Sequence, residues 1–142
     1  MTDSVREVAE RFVRDYAGKG IDDVGREILA ENFVALLPAS DTPLEGRDAH
    51  IAMNRDWHDA FPDFDFTVDG VIVDGHEAAV RLSWTGTHEK EVLGVPASGR
   101  TVRVARELHV LTIQDGKVVH DEVTFDVGNL INQMEGKGIR PG

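Results

Sequence analysis

The chain predicts an α+β fold, a curved antiparallel sheet wrapped around helices with an internal apolar pocket. Three observations carry this expectation. Helical periodicity is concentrated before Phe61-Pro62, and from Phe64 onward the apolar period changes to two. The later runs FTVDGVIV, AAVRLSWTGTH, TVRVARELHVLTI and KVVHDEVTF are rich in Val, Thr and Ile, which suit strands. Asp74-Gly75 and Asp115-Gly116 are hairpin signals, and strands joined by hairpins are antiparallel.

Each element has a local reason. Ser4 is a candidate N-cap for a first helix, in which Val5, Val8, Phe12, Val13 and Tyr16 recur at helical spacing until Gly18 and Gly20. Asp22 or Asp23 opens a short second helix with Val24, Ile28 and Leu29 inward. Phe33–Leu37 reads as a short apolar strand closed by Pro38, followed by the turn-rich stretch ASDTPLEG. Asp48 is a candidate cap for a third helix through Ile51, Met53 and Trp57, stopped at Phe61-Pro62. The loop LGVPASGR joins the middle pair of later strands. Asp126 is most simply the N-cap of a last helix, VGNLINQM, and 135–142 reads as a flexible tail.

Bulk composition narrows the function classes. The 142 residues suit one domain over 1–142, large enough to bury roughly 70% of its unfolded surface. A net charge of -11, from 26 acidic and 15 basic residues, argues against nucleic acid, because phosphate binding needs clustered Lys and Arg. No apolar run approaches the ~20 residues of a membrane span, and the start MTDSVREVAERF lacks a signal-peptide core. The chain has no cysteine, so disulfide and thiolate chemistry are excluded and a cytoplasmic location is expected.

Phosphate loops, HExxH, GxSxG and metal-type histidine spacing are absent from the sequence. A metal on His109 and Asp121 would need a third ligand, and no metal or cofactor is expected. Chemistry would then fall to acid/base groups lining a pocket, which a cone-shaped sheet suits. Glu107 and His109, two apart in one strand, share a face with Ala105, Leu111 and Ile113. A carboxylate and an imidazole on an apolar wall are costly unless paired or functional. The competing reading pairs Glu107 with Arg81, Arg103 or Arg106 and makes His109 a core histidine. Alternation places Val119, Asp121, Val123 and Phe125 together, so Asp121 either enters the cavity or sits on a wet rim. Trp57, Phe61 and Trp84 are core rings or pocket wall, His88 is expected at the rim, and His50, His58 and His76 fall in surface-prone segments.

The strings FPDF, GTH, GVPASGR and H-x5-DGK, in that order with Asp and Gln downstream, resemble the SnoaL-like polyketide cyclase (ester cyclase) family of the NTF2-like superfamily. The resemblance runs from about Glu31 to Gln133. It implies an α+β cone and, in the best-understood members, ring closure by intramolecular aldol condensation without metal or cofactor. An aspartate acts there as acid/base while polar neighbours hold the enolate. The family's Gln-x-His pair falls on Glu107 and His109, so the histidine matches and Glu107 departs. The acid/base aspartate falls on Val123 and a first-strand asparagine on Ala35. Asp121 or Glu107 would have to move the proton instead. Other members of the fold close rings by other routes, hydroxylate, isomerise or hydrolyse epoxides, and an apolar cavity also accelerates cycloaddition by positioning. The resemblance further implies a small hydrophobic substrate and a homodimer through the outer sheet face, and a non-catalytic ligand-binding role is the alternative.

Overall fold

The computed structural model describes residues 4–137. In chain order the elements are α1 (Val5–Arg11), a π-helical continuation (Phe12–Gly18), α2 (Asp22–Ile28), β1 (Leu29–Leu36), β2 (Leu44–Glu45), α3 (Arg47–Ala60), β3 (Asp65–Asp74), β4 (Glu77–Thr87), β5 (Thr101–Gln114), β6 (Lys117–Thr124) and α4 (Val127–Glu135). Ser4 caps α1 in a reciprocal box with Glu7, each side chain meeting the other's backbone N–H. Asp22 and Asp23 fall in the first turn of α2 and Asp48 in that of α3, where they face the positive end of the helix dipole without serving as caps. Asp126 does cap α4, accepting from the Asn129 N–H. That helix runs through Glu135 to Gly136, whose φ of +70° makes the left-handed stop. The expected tail is thus helix-terminating structure to Lys137, and 138–142 lie outside the described residues.

One six-stranded sheet has the order β2-β1-β6-β5-β4-β3. The meander β3 to β6 is antiparallel as predicted, but β1 lies parallel to β6, so the sheet is mixed. Hairpin signals report only neighbours in sequence, and the β1–β6 pairing joins distant segments. The strand expected at Phe33–Leu37 begins earlier, at Leu29, which leaves α2 for the sheet. The two-residue strand β2 arises inside the turn-rich stretch.

Bulges bend this sheet and change which residues face inward. Between Leu82↔Glu107 and Trp84↔Val104, β5 spends one residue more than β4. The buried face of β5 therefore passes from His109, Leu111 and Ile113 to Val102 and Val104, and Ala105 does not continue it. A second shift between Thr112 and Ile113 makes Val118, not Val119, the inward neighbour of Asp121 on β6. Strict alternation misses both because each inserted residue inverts the parity beyond it. The helices contact the concave side: α1 meets β3, β4, β5 and β6, and α3 meets β1 and β2. Val8, Phe12, Tyr16, Phe33, Val80, Leu82 and Leu111 all belong to the buried cluster between the layers.

Candidate active site

A cavity of about 390 Å³ opens between the helices and the concave sheet face. Its floor carries Glu107 and His109 from β5 and Asp121 and Val123 from β6. Phe12, Val13 and Ala17 from the π segment and His50, Met53, Asn54 and Trp57 from α3 form the opposite wall. Leu37–Ser40 after β1, Val92 and Leu93 of the β4–β5 loop, Asp56 and Phe125 also line it.

His109 sits between two carboxylates. Its Nδ1 lies 3.0 Å from Asp121 Oδ2, and its Nε2 lies 2.7 Å from Glu107 Oε2. The Trp84 indole N–H donates to the other Glu107 oxygen, Oε1, at 3.0 Å. Side-chain exposure is 12% for Glu107, 8% for His109 and 1% for Asp121, so the trio is shielded and Glu107 is its most open member. Burial by itself lowers the His109 pKa. The charge and hydrogen bond of Asp121, then those of Glu107, outweigh it and push the imidazole up to about 10. His109 is therefore an imidazolium at neutral pH, donating from both nitrogens. The arginine pairing considered for Glu107 does not form: its partners are His109 and Trp84. The two carboxylates lie on opposite edges of the ring, and among the described residues no His, Asp and Glu converge as a metal site.

The remaining predicted residues divide. Trp57 and Val123 line the cavity, whereas Phe61, Trp84, His88 and Ala35 do not. Phe61 is fully buried behind Trp57 and Trp84, at ring separations of 5.3 and 5.1 Å. Trp84 acts one layer back, through its bond to Glu107. Ala35 is buried in β1, in register with Asp121. His88 is fully buried, not at the rim. Its Nδ1 meets Ser98 Oγ at 2.9 Å, its N–H donates to Arg100 O at 2.9 Å, and its carbonyl accepts from Gly99 N–H at 2.8 Å. These bonds close the base of the loop that carries Val92 and Leu93 to the cavity.

His50 is the residue that sequence reasoning missed. It is 5% exposed, lines the cavity and bonds through Nδ1 to the Tyr16 hydroxyl at 2.7 Å. Asn54, one turn on, donates to the Tyr16 carbonyl at 3.0 Å. The signal was present: His50, Met53, Asn54 and Trp57 recur at i, i+3, i+4 and i+7, one face of a helix.

Helices packed on the concave face of one strongly bent sheet, with ionisable groups at the floor of an apolar chamber, make the α+β architecture of the NTF2-like kind. The family model for SnoaL-like polyketide cyclases matches residues 7–134, and the chain belongs to that family. A protein of Jannaschia sp. CCS1 with the same family description is 26% identical, with 94% of this chain and 93% of that one covered and a TM-score of 0.86. IdmH of Streptomyces antibioticus, described provisionally as a polyketide cyclase, is 25% identical over 94% of this chain and 99% of its own, with a TM-score of 0.78. AclR of Streptomyces galilaeus, described provisionally as a hydroxylase, shares the fold at 20% identity, with 96% of this chain and 84% of that one covered and a TM-score of 0.79. No curated protein matches the chain in sequence. Among the described residues no helix is long and apolar enough to cross a membrane.

Proposed function

We propose that the protein closes a ring on a neutral, polyketide-like molecule without a cofactor, using Glu107 as the proton-transfer group. The observation that carries this reading is the placement of Glu107. Its carboxylate lines the apolar cavity while Trp84 and the His109 imidazolium fix both of its oxygens. Such fixing supplies a base that need not reorganise during the reaction. In an aldol closure Glu107 takes a proton from a carbon next to a carbonyl. The resulting enolate carbon bonds to a second carbonyl carbon of the same molecule, and the new alkoxide recovers the proton from Glu107. Asp121 holds His109 from behind, and Trp57 with Phe125 packs the substrate's apolar body. Val123, where the family resemblance puts an aspartate, is in register with His109 and leaves Glu107 as the most exposed carboxylate of the trio.

Incubation with neutral polyketone esters, followed by mass spectrometry, tests the reading. Cyclised product should fall ~10²–10⁴-fold in Glu107→Gln, the range of a positioned acid/base group. Wild-type rates in that variant would refute the assignment. Tight binding with no conversion would favour a non-catalytic ligand carrier, the reading supported by apolar Val123 and Ala35. Oxygen gained from water or O₂ would instead indicate the hydroxylase or hydrolase chemistry known on this fold.

A further inference from the structure

The trio on the sheet floor leaves one buried polar couple unused. Tyr16 and His50 face each other across the helical wall at 2.7 Å, and His50 belongs to the cavity lining. Tyr16 is 0% exposed, so its hydroxyl proton needs an acceptor, and among the described residues His50 Nδ1 is its only hydrogen-bond partner. A phenol that donates to Nδ1 selects the tautomer with the proton on Nε2. Burial, with the charge of Asp22 next, raises the Tyr16 pKa and keeps it the donor. Burial also lowers the His50 pKa to about 4, with the His109 imidazolium adding to the effect and Asp121 opposing it. His50 is thus neutral, and among the described residues Nε2 has no protein partner.

Packing sets the ring in place. Phe33 meets His50 at 4.9 Å and 79°, and Phe12 lies 6.4 Å away and also 5.7 Å from His109. One phenyl ring therefore touches both histidines, which places the neutral donor and the Glu107 trio on walls of one chamber. Charge decides what that chamber accepts. Among the lining residues Glu107, Asp121 and Asp56 are acidic, only His109 is cationic, and none is Lys or Arg. An anionic ligand would be repelled by the carboxylates, and the one cation of the lining, His109, already spends both ring nitrogens on Asp121 and Glu107.

We propose that His50, seated by Tyr16, donates its Nε2–H to a carbonyl oxygen of the ligand, so that the occupant is an uncharged, largely apolar molecule with a ketone or ester carbonyl at that wall. The proposal rests on the cavity being the substrate site, and it adds the group that polarises the carbonyl beside the carbon from which Glu107 takes its proton. An uncharged donor suits that task because it need not lose a full charge's hydration to be buried there. Tyr16 is a positioning residue: it fixes the tautomer and does not reach the ligand.

Long-range 1H–15N correlation on histidine-labelled wild-type protein at pH 7 gives the first test. His50 should show a bare Nδ1 and a protonated Nε2, while His109 shows both nitrogens protonated. 1-Tetralone, an uncharged ketone, should shift the His50 Nε2–H signal, and tetralin, its hydrocarbon counterpart, should not. His50→Phe should weaken tetralone roughly tenfold, the worth of one hydrogen bond, and leave tetralin within about twofold. Tyr16→Phe should return His50 to a mixture of tautomers. A proton on Nδ1 in the wild type, tetralone bound without movement of Nε2–H, or no tetralone binding at millimolar concentration would each overturn the proposal. The wild-type spectra decide even if a variant fails to fold. Glu107→Gln should not alter the His50 tautomer, so failure of the proton-transfer reading remains separable from failure of this one.

Discussion

Two histidines shifted in opposite directions shape the pH dependence of stability. His109 holds its proton up to about pH 10 in the folded chain, against an ordinary value of 6.5. Its contribution is complete below pH 6.5 and is lost as pH rises toward 10, because over that interval the native state binds a proton that the unfolded chain has released. The slope approaches one proton, about 1.4 kcal/mol per pH unit, so roughly 2 kcal/mol disappears between pH 7.5 and 9. His50 acts on the other side: its folded value of about 4 means the unfolded chain takes up the proton first below pH 6.5. Stability then falls toward pH 4 at a similar slope. Unfolding free energy should therefore peak near pH 6.5. Urea titrations at 25 °C, followed by the emission of Trp57 and Trp84, measure it directly. In Asp121→Asn His109 loses one charge-assisted bond, worth ~1.5–3 kcal/mol, and the alkaline limb should flatten one to two pH units sooner. A wild-type curve that is level or rising from pH 7.5 to 9 would refute the placement of a doubly bonded imidazolium on the cavity floor. So would an Asp121→Asn curve that keeps the full alkaline limb.

Other perturbations have definite signs. Gly25→Ala should destabilise by ~1–3 kcal/mol although alanine is the better helix former, because the added Cβ would stand 2.4 Å from Tyr16 Cε1; denaturant midpoints and the His50 nitrogen spectrum report the displacement. Trp57→Ala removes a ring that touches Phe61, Trp84 and Phe125, so it should cost ~3 kcal/mol in urea unfolding and weaken ligands of the cavity, read by titration calorimetry. Asp126→Ala should cost about 1 kcal/mol through the lost α4 cap, with cavity ligands bound as before.

Local chemistry made much of the molecule readable from its residues. Ser4, Asp126 and the Asp-Gly turns act within a few positions of themselves, so the elements they bound need no distant contact to be recognised. The pairing of Glu107 with His109 was likewise visible, since two residues apart on a strand share a face. What alternation could not supply was parity beyond a bulge, and for that reason Ala105 and Val119 gave way to Val104 and Val118. His88 and His50 were misplaced for a related reason. Burial of a histidine depends on what a loop or a facing helix brings to it, here Ser98 and Tyr16.

The sequence by itself determined the α+β class, the antiparallel meander, the shared strand face of Glu107 and His109, and the absence of thiol chemistry. Those features follow from spacing, turn residues and composition. Only the tertiary structure decided that β1 lies parallel to β6, that Asp121 grips His109 from the far edge, and that Trp84 bonds Glu107 from outside the cavity lining. It also set the charge states. A histidine between two carboxylates keeps its proton and a histidine beneath a buried phenol loses it, and which one each becomes is fixed by neighbours that folding brings from 12 and 34 residues away.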